Sequence, residues 1–227
     1  MEARMWVGAL AASACALCAV PAEAATTIDI GWNTVAGQAG ITTLATGSGS
    51  GVSWVGSLLG FNFNVVSGSD PDPLDFLSTA DDGAPGAAGP IYVYVTETGL
   101  TSLKSPVDIR SSLTENELSP GWTVTETTFE DNSNAAYGQA TTLLSHTFTG
   151  PITTPSALSG VTLDSVSSPF SITQMYEITA TGVGSAGSTE HVSVVPELAT
   201  WGMLVLGFAG LGLAGYRGSR KTAAFAE

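Results

Sequence analysis

The feature that most constrains this chain is a two-residue alternation running from Phe170 to Thr181. Phe170, Ile172, Tyr176, Ile178 and Ala180 fall on one face, and Ser171, Thr173, Glu177, Thr179 and Thr181 on the other. A period of two marks a strand with one face turned to a core. Trp122, Val124 and Thr128 repeat the pattern more weakly. Further strands are predicted at Thr27–Gly31, Val52–Phe63, Ile91–Val95, Thr141–Phe148, Val161–Val166 and His191–Val195. Short threonine-rich runs parted by Gly, Pro, Asp and Ser predict an all-β fold, a single antiparallel β-sandwich-like ectodomain. The segment 111–118 offers at most one helical turn, and residues 67–90, with Pro71, Pro73, Pro85 and Pro90, read as the longest loop.

The two ends of the chain differ in character from its middle. After Arg4, an uncharged run from Met5 to Val20 leads to Pro21 and the small-residue site Ala22-Glu23-Ala24. Basic start, apolar middle and A-x-A site together predict a secretory signal peptide over residues 1–24, cut between Ala24 and Ala25. The run is shorter than the roughly 20 residues a membrane span usually needs. Cys15 and Cys18 are the only cysteines, and both lie inside this signal. The mature chain therefore holds no disulfide, thiolate nucleophile or cysteine metal site.

At the other end, the 19 residues from Leu198 to Tyr216 carry no charge. As a helix they reach about 28 Å, one hydrocarbon thickness. Trp201 and Tyr216 stand near the two ends of the run, where interfacial aromatics belong, and the basic cluster Arg217, Arg220 and Lys221 follows. A cytoplasmic C-terminus is the orientation the positive-inside rule predicts. The order of elements here resembles the PEP-CTERM sorting domain of Gram-negative bacteria. The match lies in Pro196-Glu197-Leu198, Trp201, the glycine-rich span over 198–216 and the basic residues 217–221. One position departs from that pattern, since Leu198 stands where the motif has its second proline. The resemblance covers residues 195–221 and leaves 25–194 as the exported domain. It implies recognition by an exosortase-like membrane enzyme, an ectodomain held first in the periplasm, and an association with exopolysaccharide or biofilm matrix at the surface.

Residues 25–195 carry 16 acidic side chains against two basic ones, Lys104 and Arg110, so the net −14 of the whole chain belongs to this segment. Such a surface excludes nucleic acid, which needs Lys and Arg to neutralise phosphates. It also repels anionic polysaccharide unless divalent cations bridge the two. Asp70, Asp72, Asp75, Asp81 and Asp82 crowd into thirteen residues and offer oxygen ligands for Ca²⁺, although the spacing lacks the glycine and closing glutamate of an EF-hand. The same Asp-Pro run reads first as a solvated turn, where Asp and Pro are favoured for backbone reasons. No other cofactor is expected.

Enzyme signatures are missing. Gly182-Val183-Gly184-Ser185-Ala186-Gly187 matches G-x-G-x-x-G, but a predicted strand follows it instead of a helix, so it reads as a hairpin connection and not as a nucleotide site. No G-x-S-x-G elbow occurs, and His146 and His191 are the only histidines. The expectation is a non-enzymatic structural or adhesive protein. The first alternative is a carbohydrate-binding module that stacks sugars on Trp54, Trp122, Tyr92 or Tyr94, or a calcium-dependent surface binder. A secreted hydrolase built around His146 ranks last. No N-x-[ST] sequon is present, which leaves O-linked sugar near Ser185–Thr189 as the glycosylation option.

Overall fold

The fold follows from where the alternating runs are forced to pair. The computed structural model describes residues 26–48, 51–69, 76–84, 88–101, 107–164, 166, 169–195, 204–209 and 211. Its strands, in chain order, are β1 (Thr27–Asn33), β2 (Thr42–Ser48), β3 (Val52–Leu58), β4 (Phe61–Ser69), β5 (Phe76–Ala84) and β6 (Ala88–Leu100). Then come β7 (Val107–Leu118), β8 (Trp122–Asp131), β9 (Thr141–Thr149), β10 (Ser156–Asp164), β11 (Phe170–Ala180) and β12 (Gly184–Val195). They form two six-stranded sheets, in the orders β2-β1-β6-β11-β8-β9 and β10-β7-β12-β5-β4-β3. All the strand pairs are antiparallel.

The inner faces of both sheets supply one core. Ile28, Ile30, Val93, Trp122, Ile172 and Tyr176 come from the first sheet, and Phe61, Val65, Ile109, Leu113 and Val192 from the second. Trp122 meets Phe61 edge-on at 5.7 Å, and Phe61 lies 5.9 Å from Phe63. The all-β expectation holds, and the alternation over Phe170–Thr181 marks β11, which runs between β6 and β8.

Several sequence expectations need correction. The segment 111–118 is not helical but belongs to β7. The pairing of β7 with β12 slips between Glu115 and Glu117, where Asn116 is the extra residue of a β-bulge. The bulge resets the alternation, so Leu113, Glu115 and Leu118 are all buried although they do not share a period of two. The predicted Val52–Phe63 strand is two strands. Leu59 (φ 52°) and Gly60 (φ 90°) turn between them, both with positive φ as a type I′ hairpin requires. Within the predicted 67–90 loop, β5 occupies 76–84 and β6 begins at Ala88. Gly182–Gly187 is not a hairpin connection, because β11 and β12 lie in different sheets and β12 already starts at Gly184.

Residues 204–209 are helical, and Leu204, Val205, Leu206 and Phe208 are exposed there. Among the described residues no helix is long and apolar enough to cross a membrane. The signal-peptide residues Ala22, Ala24 and Ala25 lie outside the described residues, as do Pro196, Glu197, Leu198, Trp201, Arg217, Arg220 and Lys221.

Candidate functional site

The sandwich interior is not wholly apolar. Alternation along β8 turns Trp122, Val124, Glu126, Thr128 and Glu130 inward, so a strand that begins as core ends in polar groups. Across the gap, β7 contributes Ser111 and Glu115, and β12 contributes Ser188 and Glu190. Glu97 of β6 and Glu130 of β8 flank Ile172 on its two sides. Each of these five glutamates is at most 1% exposed. A buried ionised carboxylate without a counter-charge is costly, so such groups shift toward the neutral form.

The arrangement fixes which carboxyl accepts. Ser188 Oγ donates to Glu115 Oε2 at 2.7 Å, and the Gly187 backbone N–H donates to Glu115 Oε1 at 3.2 Å, beside the bulge. Burial still raises the Glu115 carboxyl above the ordinary range, against the pull of those donors. Glu126 approaches Glu115 and Ser188 from the opposite sheet without a well-formed hydrogen bond to either. Burial first, and the charge of Glu115 second, push it up to about 8. Glu190 has no hydrogen-bond partner for either carboxyl oxygen, and burial followed by the charge of Glu126 raises it well above the usual carboxylate range. Ser111 and Thr128 complete this layer with a hydroxyl–hydroxyl bond of 2.7 Å between the sheets.

A second cluster covers the outer face of the first sheet. Tyr92, Tyr94, Phe129, Tyr137 and Met175 pack together there, with Ile41 against them. The Gly37 N–H donates to Tyr94 Oη at 3.2 Å, and Gln38 Nε2 donates to the Tyr137 carbonyl at 2.9 Å, which ties the 33–41 loop down. Tyr137 Oη and Thr43 Oγ1 lie 3.0 Å apart. Burial pushes the Tyr137 hydroxyl up to about 12, opposed by that bond and helped by the charge of Asp29.

The residues singled out in the sequence fare differently. Tyr92, Tyr94 and Trp122 are buried and Trp54 packs half-buried against the core, so these rings form no exposed stacking platform. His146 is exposed on the edge strand β9, 4.7 Å from the Phe148 ring, whereas His191 is half-buried on β12 in the other sheet. Asp81 and Asp82 lie on β5, in register with Gly187 and Ala186 of β12. Asp70, Asp72 and Asp75 lie outside the described residues. No group of three or more His, Cys, Asp or Glu side chains is placed to hold a metal ion among the described residues.

Sequence reasoning passed over the buried glutamates. The available signal was Glu126, which shares its phase with Trp122, Val124 and Thr128. Glu115 was hidden by the bulge, and Glu190 by reading β12 as beginning only at His191.

No family model matches the chain, and no curated protein matches it. Two solved structures are similar in part. One is the enzymatically active domain of bacteriophage CBA120 tailspike protein 4, with 13% identity and a TM-score of 0.31 over 64% of this chain and 19% of that one. The other is the structure of infectious bursal disease virus Gx strain, with 8% identity and a TM-score of 0.31 over 84% of this chain and 52% of that one. This chain thus spans about a fifth of the first protein's length and about half of the second's.

Proposed function

We propose that this chain is an exported cell-envelope or extracellular-matrix protein, delivered through a PEP-CTERM-like signal and serving a structural or adhesive role in exopolysaccharide or biofilm. It performs no catalysis of its own. One observation carries this reading: β12, which runs between β7 and β5 in the second sheet, ends at Val195, and Pro196 of the motif follows directly. A cut at the motif by an exosortase-like enzyme therefore releases the twelve strands without removing any of them. The exposed apolar side chains of the 204–209 helix fit a segment whose neighbours are lipid tails, as a 198–216 membrane helix requires. The acidic surface of the domain suits a matrix component whose contacts with anionic polysaccharide run through Ca²⁺, with the Asp70–Asp82 segment as the candidate ligand source.

Mass spectrometry of the natural product tests the reading. A mature chain that starts at Ala25 and ends near Glu197 is the expected species. A product that still ends at Glu227 rejects processing at the motif.

A further inference from the structure

We propose that Glu115, Glu126 and Glu190 form a proton-held latch between the two sheets, closed while the cluster keeps its protons and loosened as they leave. The geometry is specific. Glu115 on β7 and Glu190 on β12 belong to one sheet, Glu126 on β8 to the other, and all three are fully buried. Glu115 is tied as an acceptor within its own sheet by Ser188 and the Gly187 N–H. Glu126 reaches it from across the seam, so a proton on Glu126 turns a carboxylate–carboxylate repulsion into an acid–carboxylate contact. Glu190 stands next in line, with no donor of its own.

Among the described residues, no buried side chain nearby offers an alternative counter-charge. Among the described residues, the buried polar and charged side chains include no lysine, arginine or histidine. The titratable groups around Glu126 are Glu115 and Glu190 across the seam, Tyr176 beside it on β11 and His146 opposite it on β9, with Glu130 farther along its own strand and Glu97 on β6, both beside Ile172. Of these only His146 can carry positive charge, and it is exposed at the sheet edge. Arg110 on β7 is exposed as well.

The direction of the pH effect follows from linkage. In the unfolded chain these glutamates ionise near 4.5, the ordinary value, whereas in the fold Glu126 holds its proton to about 8. The stabilisation is fully present below the lower value and is lost as pH rises through that window. Each proton that the native state keeps and the unfolded state has lost raises the unfolding constant about tenfold per pH unit.

The experiment is urea unfolding of the full chain at pH 5, 6, 7, 8 and 9, followed by tryptophan fluorescence. The expected result for the wild type is an unfolding constant that climbs at least tenfold per unit between pH 5 and 7. Glu126→Gln keeps the shape but cannot ionise, and is expected to cut that slope by about one proton. Glu117→Gln, at an exposed position on the same strand as Glu115, is expected to leave it unchanged. An equal slope in Glu126→Gln and wild type overturns the latch. Should Glu126→Gln not fold, potentiometric titration of folded and urea-unfolded wild type decides instead. A difference of at least one bound proton at pH 6 supports the latch, and a smaller difference overturns it.

Discussion

Ser111 of β7 and Thr128 of β8 share a buried hydrogen bond of 2.7 Å that crosses from one sheet to the other. Ser111 lies between Ile109 and Leu113 on the inner face of β7 and Thr128 between Glu126 and Glu130 on that of β8, and each hydroxyl has the other as its hydrogen-bond partner in this buried layer. Removing one strands the remaining group, which is where the cost of a buried polar pair resides. Thr128→Val, a near-isostere without the hydroxyl, is expected to lower stability by about 1–3 kcal/mol. The double variant with Ser111→Ala is expected to cost less than the sum of the two single changes. Urea unfolding of the four proteins measures the coupling, and strict additivity would refute the pairing.

Trp122 joins two loads on one side chain. Its ring is fully buried against Phe61, and Nε1 donates to the Gly182 carbonyl at 3.0 Å, at the bend where the chain leaves β11 for β12. Trp122→Phe retains most of the apolar contact and loses the bond, an expected cost of about 1–2 kcal/mol. Trp122→Ala adds a large cavity and is expected to cost about 3–5 kcal/mol. If the two variants unfold at the same urea concentration, the ring is not packed as described.

How much of this was legible beforehand depends on whether a strand keeps its phase. β11 was readable because Phe170, Ile172, Tyr176, Ile178 and Ala180 stay in register along its whole length. β7 was not, because the extra residue Asn116 places Leu113 and Leu118 on the same side, five positions apart, and five is a poor match to period two. β5 was missed because aspartate, proline and glycine around it are turn formers whose preference pairing with β4 and β12 overrides. The glutamate layer was hidden for another reason. A glutamate is read as exposed unless its partners are known, and those partners sit on strands 11 to 75 positions away in sequence.

The outer tyrosine cluster depends on a missing side chain at Gly31. A Cβ at that position would come within 2.7 Å of Tyr137 Oη and 2.6 Å of Ile41 Cγ2, closer than atoms pack. Gly31→Ala is therefore expected to lift Tyr137 from the sheet and cost about 1–3 kcal/mol, the usual range for overpacking. Tyr137→Phe removes only the Thr43 bond and is expected to cost about 1 kcal/mol. Limited proteolysis separates the two outcomes. Cleavage within 132–140 is expected to accelerate strongly in Gly31→Ala and little in Tyr137→Phe, and equal protection in both would mean that the loop is held by other contacts.

The position of β12 makes the boundary at Val195 testable. This strand pairs with β5 along one side and with β7 along the other, and it supplies Ser188, Glu190 and Val192 to the interior. A chain ending at Val195 keeps all of these, so it is expected to unfold at the same urea concentration as the full protein, within about 0.5 kcal/mol. A chain ending at Gly187 loses most of β12 and leaves β5 and β7 with facing unpaired edges in the middle of a sheet. That product is expected to show no cooperative unfolding transition. Cooperative unfolding of the shorter chain would mean that the second sheet closes without its shared strand. A large loss of stability in the longer chain would mean that residues beyond Val195 belong to the fold, and that cutting at the motif does not release a finished domain.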